Sequence, residues 1–191
     1  MALPSLYRAL EHRKGVPFPP GYPETHLTFY SPVDDVHGAL CDLLNSAAKS
    51  LVIAMYGYDD DELNAIFMEK LHDPTIFCQL TLDSSQARVP HERAILNADS
   101  LPSNSIAIGR SEKGAIMHMK TAIVDMLDVA DGSTNWSGGG EAKQDNQLTI
   151  FRDLTPGGLI VAETRTRIDM IHTHMRTVSG MSIATPRWSQ H

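Results

Sequence analysis

One stretch of the chain carries side chains that together could transfer a phosphoryl group. His118, Lys120 and Asn135 supply an imidazole, an amine and an amide within one short segment. Side chains two positions apart in a strand point to the same face, so His118 and Lys120 are expected to project together. A neutral imidazole can attack phosphorus and form a covalent phosphohistidine, while the cation and the amide stabilise the non-bridging oxygens. Because the protein itself supplies the cation, this chemistry predicts no metal and no cofactor.

Neighbouring residues are expected to position this reactive group. Asp125 lies an odd number of residues from both His118 and Lys120. A regular strand would therefore turn its carboxylate to the opposite face, which predicts that Asp125 braces the following loop. Gly132 permits a tight turn. Behind that turn, Ser133 and Asn135 can return short polar side chains toward the same pocket.

In the first half of the chain, strand-like segments alternate with helix-like segments. Residues 26–30 are a strand candidate, and Ser31-Pro32 is predicted to be the N-cap and first-turn proline of the helix that follows. Residues 51–56 form a nearly continuous apolar run, which is typical of a strand covered on both faces. Asp59 to Asp61 can cap a second helix.

The second half continues this alternation. Further helices are expected at residues 91–97 and 159–178, and a Gly-rich loop at 132–140. The remaining strand candidates are residues 76–82, a short segment near Ile106, residues 115–125 (bent or paired as a hairpin) and residues 147–151. This order favours an α/β sandwich, in which a central sheet has helices on both faces.

The amino-acid composition and net charge limit the functions that the protein can have. Of the 191 residues, 42% are hydrophobic and 20% charged, as in an ordinary globular protein. The formal net charge of -7 gives no bulk attraction for nucleic acid, so binding a polyanion would require a local basic groove. No stable membrane insertion is expected, because no apolar run approaches the roughly 20 residues of a membrane span. The first residues lack the apolar core of a secretory signal, which favours the cytoplasm. Cys41 and Cys78 are expected to be buried thiols, with a disulfide or a metal pair as the alternatives.

The spacing of six residues resembles the signature of the phospholipase D superfamily: His118, Lys120, Asp125, Gly132, Ser133 and Asn135. The resemblance implies a phospholipase D-like α-β-α sandwich, with a central mixed β-sheet flanked by helices on both faces. The expected catalytic domain covers residues 25–180. A Pro-rich N-terminal arm precedes it at residues 1–24, and a C-terminal tail follows at residues 181–191.

A chain with one such motif is similar to Nuc-type endonucleases and Zucchini-type phosphodiesterases, which build the site across a two-fold dimer. The resemblance implies that His118 is the nucleophile in one protomer and the general acid in the other. The same resemblance implies that Lys120 and Asn135 bind the phosphate and that Ser133 forms a supporting hydrogen bond. Family members often carry a Glu before the following strand that orients the histidine. Asp145 is the candidate for that role here, with Asn146 as the alternative.

The resulting hypothesis is that the protein is a hydrolase. It would be a metal-independent endonuclease that cleaves phosphodiester bonds of DNA or RNA as a homodimer. One compact motif in a short chain fits the nuclease branch of the superfamily better than its long lipid-acting branch. Two alternatives stay open. One is a phospholipid or cardiolipin hydrolase, which uses the same chemistry, and the other is a non-catalytic module that retains the phosphate pocket.

Overall fold

The computed structural model describes residues 5–86, 105–153 and 155–178. Its helices are α1 (Ser5–Glu11), α2 (Val36–Asn45), α3 (Asp61–His72), α4 (Gly138–Ala142) and α5 (Leu159–Val178), with a 3-10 turn at Ser84–Gln86. Its strands are β1 (His26–Ser31), β2 (Ser50–Met55), β3 (Tyr58–Asp59), β4 (Phe77–Asp83), β5 (Ile106–Gly109), β6 (Lys120–Val124), β7 (Asp128–Gly132), β8 (Trp136–Ser137) and β9 (Asn146–Arg152). The helix expected at residues 91–97 lies outside the described residues.

Seven of the described strands form one mixed sheet in the order β1-β9-β7-β6-β2-β4-β5. Strand β4 runs parallel to both β2 and β5, whereas β6 is antiparallel to β2 and β7. Strands β3 and β8 form a separate two-stranded parallel ribbon. The hairpin expected within residues 115–125 instead joins β6 to β7. The sheet order places β6 at the centre, so the strand that carries Lys120 is covered on both edges.

Both faces of the sheet are buried, as the apolar run in β2 predicts. Leu51 and Ile53 contribute to a core that also contains Leu40 of α2 and Phe67 of α3. The alternating residues of β2, Val52 and Ala54, face a second core against α5. Alternate side chains of a strand point to opposite faces, so a strand between two helical layers must be apolar throughout. The predicted α/β sandwich is confirmed.

The helix caps were only partly predicted correctly. Asp60 caps α3, since its side chain accepts a hydrogen bond from the Leu63 amide at 2.8 Å, as expected from residues 59–61. The N-cap prediction for Ser31 is wrong, because Ser31 is the last residue of β1 and pairs with Asn146. Asp35 caps α2 instead. The Ser31 hydroxyl donates a hydrogen bond to the carbonyl of Gln144 at 2.7 Å and does not cap a helix.

The Gly-rich segment 132–140 is more ordered than the predicted loop. Trp136 and Ser137 form β8, and Gly138 begins the short helix α4. Ser137 caps that helix by accepting a hydrogen bond from the Gly140 amide at 3.1 Å. Three consecutive glycines have low helix propensity, so this helix depends on its cap and on tertiary contacts.

Part of the N-terminal arm packs on the domain. Tyr7 and Leu10 of α1 are buried in the larger core. Arg13 donates hydrogen bonds from its guanidinium to both Asp35 and Asp42, at 2.6 and 2.8 Å. These contacts attach the arm to α2. The boundaries of the three predicted regions remain a prediction.

The two cysteines are buried and free. Burial raises the pKa of each thiol to about 12, so Cys41 and Cys78 stay protonated at neutral pH. Within the described residues, no helix combines the length and the apolar character that crossing a bilayer requires.

Candidate active site

Strand β6 places Lys120 at a fixed point in the sheet. Lys120 pairs with Met55 of β2, and the residue is only 6% exposed. Its Nζ donates a hydrogen bond to the backbone carbonyl of His118 at 3.1 Å. Burial lowers the pKa of Lys120, while the nearby charge of Asp131 raises it. The result is a partly desolvated amine whose position is set by the strand.

His118 lies two residues before Lys120, in the irregular segment that leads into β6. The ladder with β2 extends as far as Met119, whose carbonyl accepts a hydrogen bond from the Tyr56 amide at 2.8 Å. His118 is exposed, and its ring centroid lies 4.6 Å from that of Tyr56. The Lys120 Nζ lies 5.2 Å from the same aromatic ring. One tyrosine therefore contacts both the imidazole and the ammonium group.

The turn after β7 brings the second half of the motif into place. A Cβ on Gly132 would lie 2.1 Å from the carbonyl oxygen of Gln147, so only glycine fits between these strands. The Ser133 hydroxyl donates to Oδ1 of Asn146 at 2.9 Å and accepts from the Gln147 amide at 3.0 Å. The predicted phosphate-binding serine is thus hydrogen-bonded to the start of β9.

Asn135 packs directly against Gly57. A Cβ on Gly57 would lie 2.8 Å from Cγ of Asn135, and the Trp136 amide donates to the Gly57 carbonyl at 2.9 Å. Oδ1 of Asn135 is buried and has no hydrogen-bond partner among the described residues. Tyr56 and Gly57 are consecutive. The chain just after β2 therefore contacts His118 and Lys120 through Tyr56, and Asn135 through the next residue, Gly57.

Asp125 lies at the far end of β6 from this point. Its φ of 52° is left-handed, a conformation that Asp tolerates better than most residues. Its carboxylate accepts hydrogen bonds from the amides of Ala48, Lys49 and Ser50 at 3.1, 2.7 and 2.8 Å. These bonds hold the start of β2 against the end of β6, which is a bracing role, although the segment braced is not the one expected.

The segment from α4 to β9 contains the predicted carboxylate, Asp145, and a second acidic residue that the sequence did not single out. Asp145 is exposed in the turn before β9, and its role as an orienting carboxylate remains a prediction. The buried carboxylate is Glu141, whose Oε2 lies 2.5 Å from Nδ1 of His37. Burial raises the pKa of Glu141 to about 7, although the bond to His37 lowers it. Asn146, the alternative to Asp145, holds Ser133 and also donates to the Gly140 carbonyl at 3.0 Å.

Sequence reasoning missed Tyr56, Gly57 and the pair His37–Glu141 as parts of the site or its surroundings. The position of Tyr56 at the end of a buried strand, followed by glycine, is a usable signal, because ligands often bind beyond strand ends. No local spacing links His37 to Glu141, since they lie 104 residues apart. Among the described residues, the groups of side chains close enough to share a metal ion all contain His37 and none contains His118.

Comparison with known proteins agrees with the motif. A family described as "Cardiolipin synthase, PLD-like domain" matches residues 40–170. A mitochondrial cardiolipin hydrolase of Chlamydomonas reinhardtii is 26% identical over 112 residues, which cover 59% of this chain and 48% of the relative. The chain thus spans about half the length of the curated relative that it matches.

Solved structures with this fold include Nuc from Salmonella typhimurium, described as a phospholipase D family member. It has a TM-score of 0.63 at 18% identity, over 78% of this chain and 94% of Nuc. NucT from Helicobacter pylori gives 0.60 at 17% identity, over 78% and 96% of the two chains. A phosphatidylserine synthase of Haemophilus influenzae gives 0.59 at 13% identity, over 77% and 38%. With the family match over most of its length, the chain belongs to the phospholipase D-like family.

Proposed function

We propose that the protein is a metal-independent phosphodiesterase that cleaves nucleic acid through a covalent phosphohistidine, at a site shared by two protomers. The observation that carries the proposal is the convergence on Tyr56 and Gly57. An exposed imidazole and a buried ammonium group contact the tyrosine, and a motif amide packs on the glycine. This set combines an accessible nucleophile with positioned donors for a phosphate.

The reaction would proceed in two displacements. His118 of one protomer attacks phosphorus, the bond to the leaving oxygen breaks, and the partner's His118 donates its proton to that oxygen. The partner's His118 then accepts a proton from water, and the resulting hydroxide attacks the phosphohistidine. A phosphomonoester leaves and the first imidazole is regenerated, so no redox or metal step is needed.

Lys120 and Asn135 are suited to stabilise charge in both steps. Their donors would bind the non-bridging oxygens, whose charge develops as the phosphoryl group transfers. Because Lys120 is held in the sheet and partly desolvated, its attraction for phosphate is stronger than that of a mobile surface lysine. These groups need little reorganisation when the substrate arrives.

The homodimer follows from the roles that the chemistry requires. One imidazole cannot attack phosphorus and protonate the leaving group in the same step, whereas two related by a two-fold axis can. The exposure of His118 supports this arrangement, since the ring is accessible to a second copy and to substrate.

A lipid substrate is the second candidate. The curated relative is named a cardiolipin hydrolase, and Ile116, two residues before His118, is a 45% exposed apolar side chain that could contact an acyl chain. The nuclease proposal rests on the single motif and on the near-complete coverage of Nuc and NucT. A module that binds phosphate without catalysis would show binding but no turnover on either substrate.

The first test measures cleavage of labelled single-stranded and double-stranded DNA, RNA and cardiolipin vesicles in excess EDTA. We expect wild-type cleavage of nucleic acid and a loss of at least about 10³-fold in His118→Asn. A radiolabelled protein adduct should be trapped at neutral pH and be lost in acid. Cleavage of cardiolipin alone would select the lipid substrate. Full activity in His118→Asn, or its abolition by chelator in the folded protein, would refute the mechanism.

A second test addresses the shared site. Wild type and His118→Asn are unfolded together at equal amounts and refolded. If each dimer has one site that needs both histidines, the mixture keeps about one quarter of the activity of the same amount of wild-type protein, against about one half for independent protomers. Activity that falls only in proportion to the wild-type fraction would contradict the shared site.

A further inference from the structure

Away from the half-site that one protomer supplies (His118, Lys120 and Asn135), His37 is surrounded by carboxylates. Its Nδ1 lies 2.5 Å from Oε2 of Glu141 and 3.5 Å from Oδ2 of Asp60. Its Nε2 lies 3.0 Å from Oε2 of Glu62. His37 belongs to the first turn of α2, Asp60 and Glu62 to the start of α3, and Glu141 to α4. The starts of three helices therefore meet at one imidazole.

One imidazole faces three carboxyl groups at this point. If Asp60 and Glu141 are both ionised, a protonated His37 offsets only one of the two charges. The Glu141 side chain is 1% exposed and that of Asp60 14%, so neither is well hydrated. Buried charges are costly unless they are paired or bind a metal ion. A divalent cation beside a neutral imidazole would balance Asp60 and Glu141.

The individual atoms are also arranged as ligands. Oε1 of Glu141 is buried and has no hydrogen-bond partner among the described residues. Asp60 uses Oδ1 to cap α3, which leaves Oδ2 directed at His37. Glu62 accepts the hydrogen bond from Nε2. A carboxylate on the outer nitrogen is how metal-bound histidines are commonly oriented, and it leaves the Nδ1 lone pair for the ion.

We propose that Nδ1 of His37, Oδ2 of Asp60 and the carboxylate of Glu141 bind one divalent transition-metal ion. Imidazole and carboxylate ligands suit Zn²⁺, and three protein ligands leave a position for water. Binding displaces a proton from Nδ1 to solvent, and no atom changes oxidation state. The ion links α2, α3 and α4. Since α4 follows Asn135 closely in the chain, the ion stabilises the segment behind the half-site and takes no part in its chemistry.

A second ligand set shares the same ring. Sγ of Cys41 lies 3.5 Å from Nε2 of His37, next to Glu62. Glu62 is 67% exposed, however, and an ion on that side would leave the buried Oε1 of Glu141 without a partner. The observations therefore favour the ion on the Nδ1 side, between Asp60 and Glu141.

The experiment titrates the chelator-stripped 191-residue chain with ZnCl₂, using calorimetry and thermal melting. Wild type is expected to bind one Zn²⁺ per chain and to melt at a higher temperature when saturated. Asp60→Asn retains a good N-cap, and Glu141→Gln retains the volume of its side chain, so both variants should fold. Each is expected to weaken binding by at least about tenfold, because each removes a charged ligand.

Glu69→Gln is the matched control, since it makes the same chemical change on the exposed face of α3 and should bind as wild type does. Absence of saturable binding in wild type would overturn the proposal. Equal binding by Asp60→Asn, Glu141→Gln and the control would overturn it as well.

Cobalt substitution tests which atoms are ligands. Co²⁺ bound by nitrogen and oxygen should show ligand-field absorption without a thiolate charge-transfer band. A charge-transfer band that is lost in Cys41→Ser would overturn the ligand set in favour of the Nε2 side. The site and the proposed activity can fail separately: His118→Asn should bind Zn²⁺ normally, and Asp60→Asn should retain phosphodiesterase activity below its melting temperature.

Discussion

Two histidines of this domain, His118 and His37, have opposite surroundings. His118 is exposed and its ring lies beside that of Tyr56 at a tilt of 59°, whereas His37 has three carboxylates within 3.5 Å. Burial alone lowers the pKa of His37, but hydrogen bonds with Glu62 and Glu141 raise it to about 9. A ring protonated at neutral pH cannot act as a nucleophile. The neighbours of His37 therefore exclude it from the nucleophilic role that is proposed for His118.

Lys120→Met should produce the largest contrast between the two regions. We expect kcat to fall by about 10²- to 10³-fold, because the variant loses the cation that stabilises the transferring phosphoryl group in the proposed mechanism. The buried Nζ hydrogen-bonds a backbone carbonyl and not a carboxylate, so its removal should leave the melting temperature unchanged or raise it.

His37→Gln is the reciprocal variant for that experiment. It should lower the melting temperature while activity per folded molecule stays near that of wild type. The comparison would fail if steady-state kinetics and calorimetry showed that the two variants lose activity and stability in the same proportion.

Gly57→Ala should reduce activity by about 10- to 100-fold, since a displaced donor costs a few kcal/mol of transition-state stabilisation. The new methyl group would lie 2.8 Å from Cγ of Asn135, so the amide must move. Gly138→Ala is the control, because nothing lies within 4 Å of a Cβ there. Initial rates on the same substrate would measure both. A similar loss in the two variants would indicate a general effect of alanine on this segment.

Asp125→Asn should lower the free energy of unfolding by about 1 to 3 kcal/mol, because hydrogen bonds to a charged acceptor become bonds to a neutral one. Asn tolerates the φ of 52°, so backbone strain should not contribute. Urea unfolding measures the change, with the exposed Glu163→Gln as the matched charge control. Activity per folded molecule should be retained. A large loss of kcat at unchanged stability would place Asp125 in the chemistry.

The smallest expected effect is a pH dependence of stability in chelator-treated protein. The pKa of His37 is raised from 6.5 to about 9, so the folded state holds a proton that the unfolded state releases. The free energy of unfolding should therefore be highest below 6.5 and fall as the pH rises to about 9. The melting temperature, measured at several pH values across that window, should depend less on pH in His37→Gln than in wild type. An equal slope in both proteins would assign the effect to other groups.

The sequence predicted those parts of the molecule that depend on local spacing. The apolar run of β2 indicated a strand buried on both faces, and the cap before α3 was correct. The motif grouped His118, Lys120 and Asn135, and the structure places all three near Tyr56 and Gly57.

The remaining features depend on long-range contacts that no local pattern encodes. Ser31 resembles an N-cap, yet its hydroxyl hydrogen-bonds residues from beyond β8. Helix α4 begins with three glycines, so its formation depends on the Ser137 cap and on Glu141 meeting His37. In both cases tertiary contacts outweighed local propensity.

Asp125 shows that one sequence motif can contain both residues for chemistry and residues for the scaffold. Its hydrogen bonds to three consecutive amides join β6 to β2 at the end remote from His118. A search that demands every position of the motif therefore filters for chains that can assemble the scaffold as well as for chains that can react. A relative lacking only this aspartate would be a weakened fold with its chemical groups intact, and it should be assayed at low temperature before being classed as inactive.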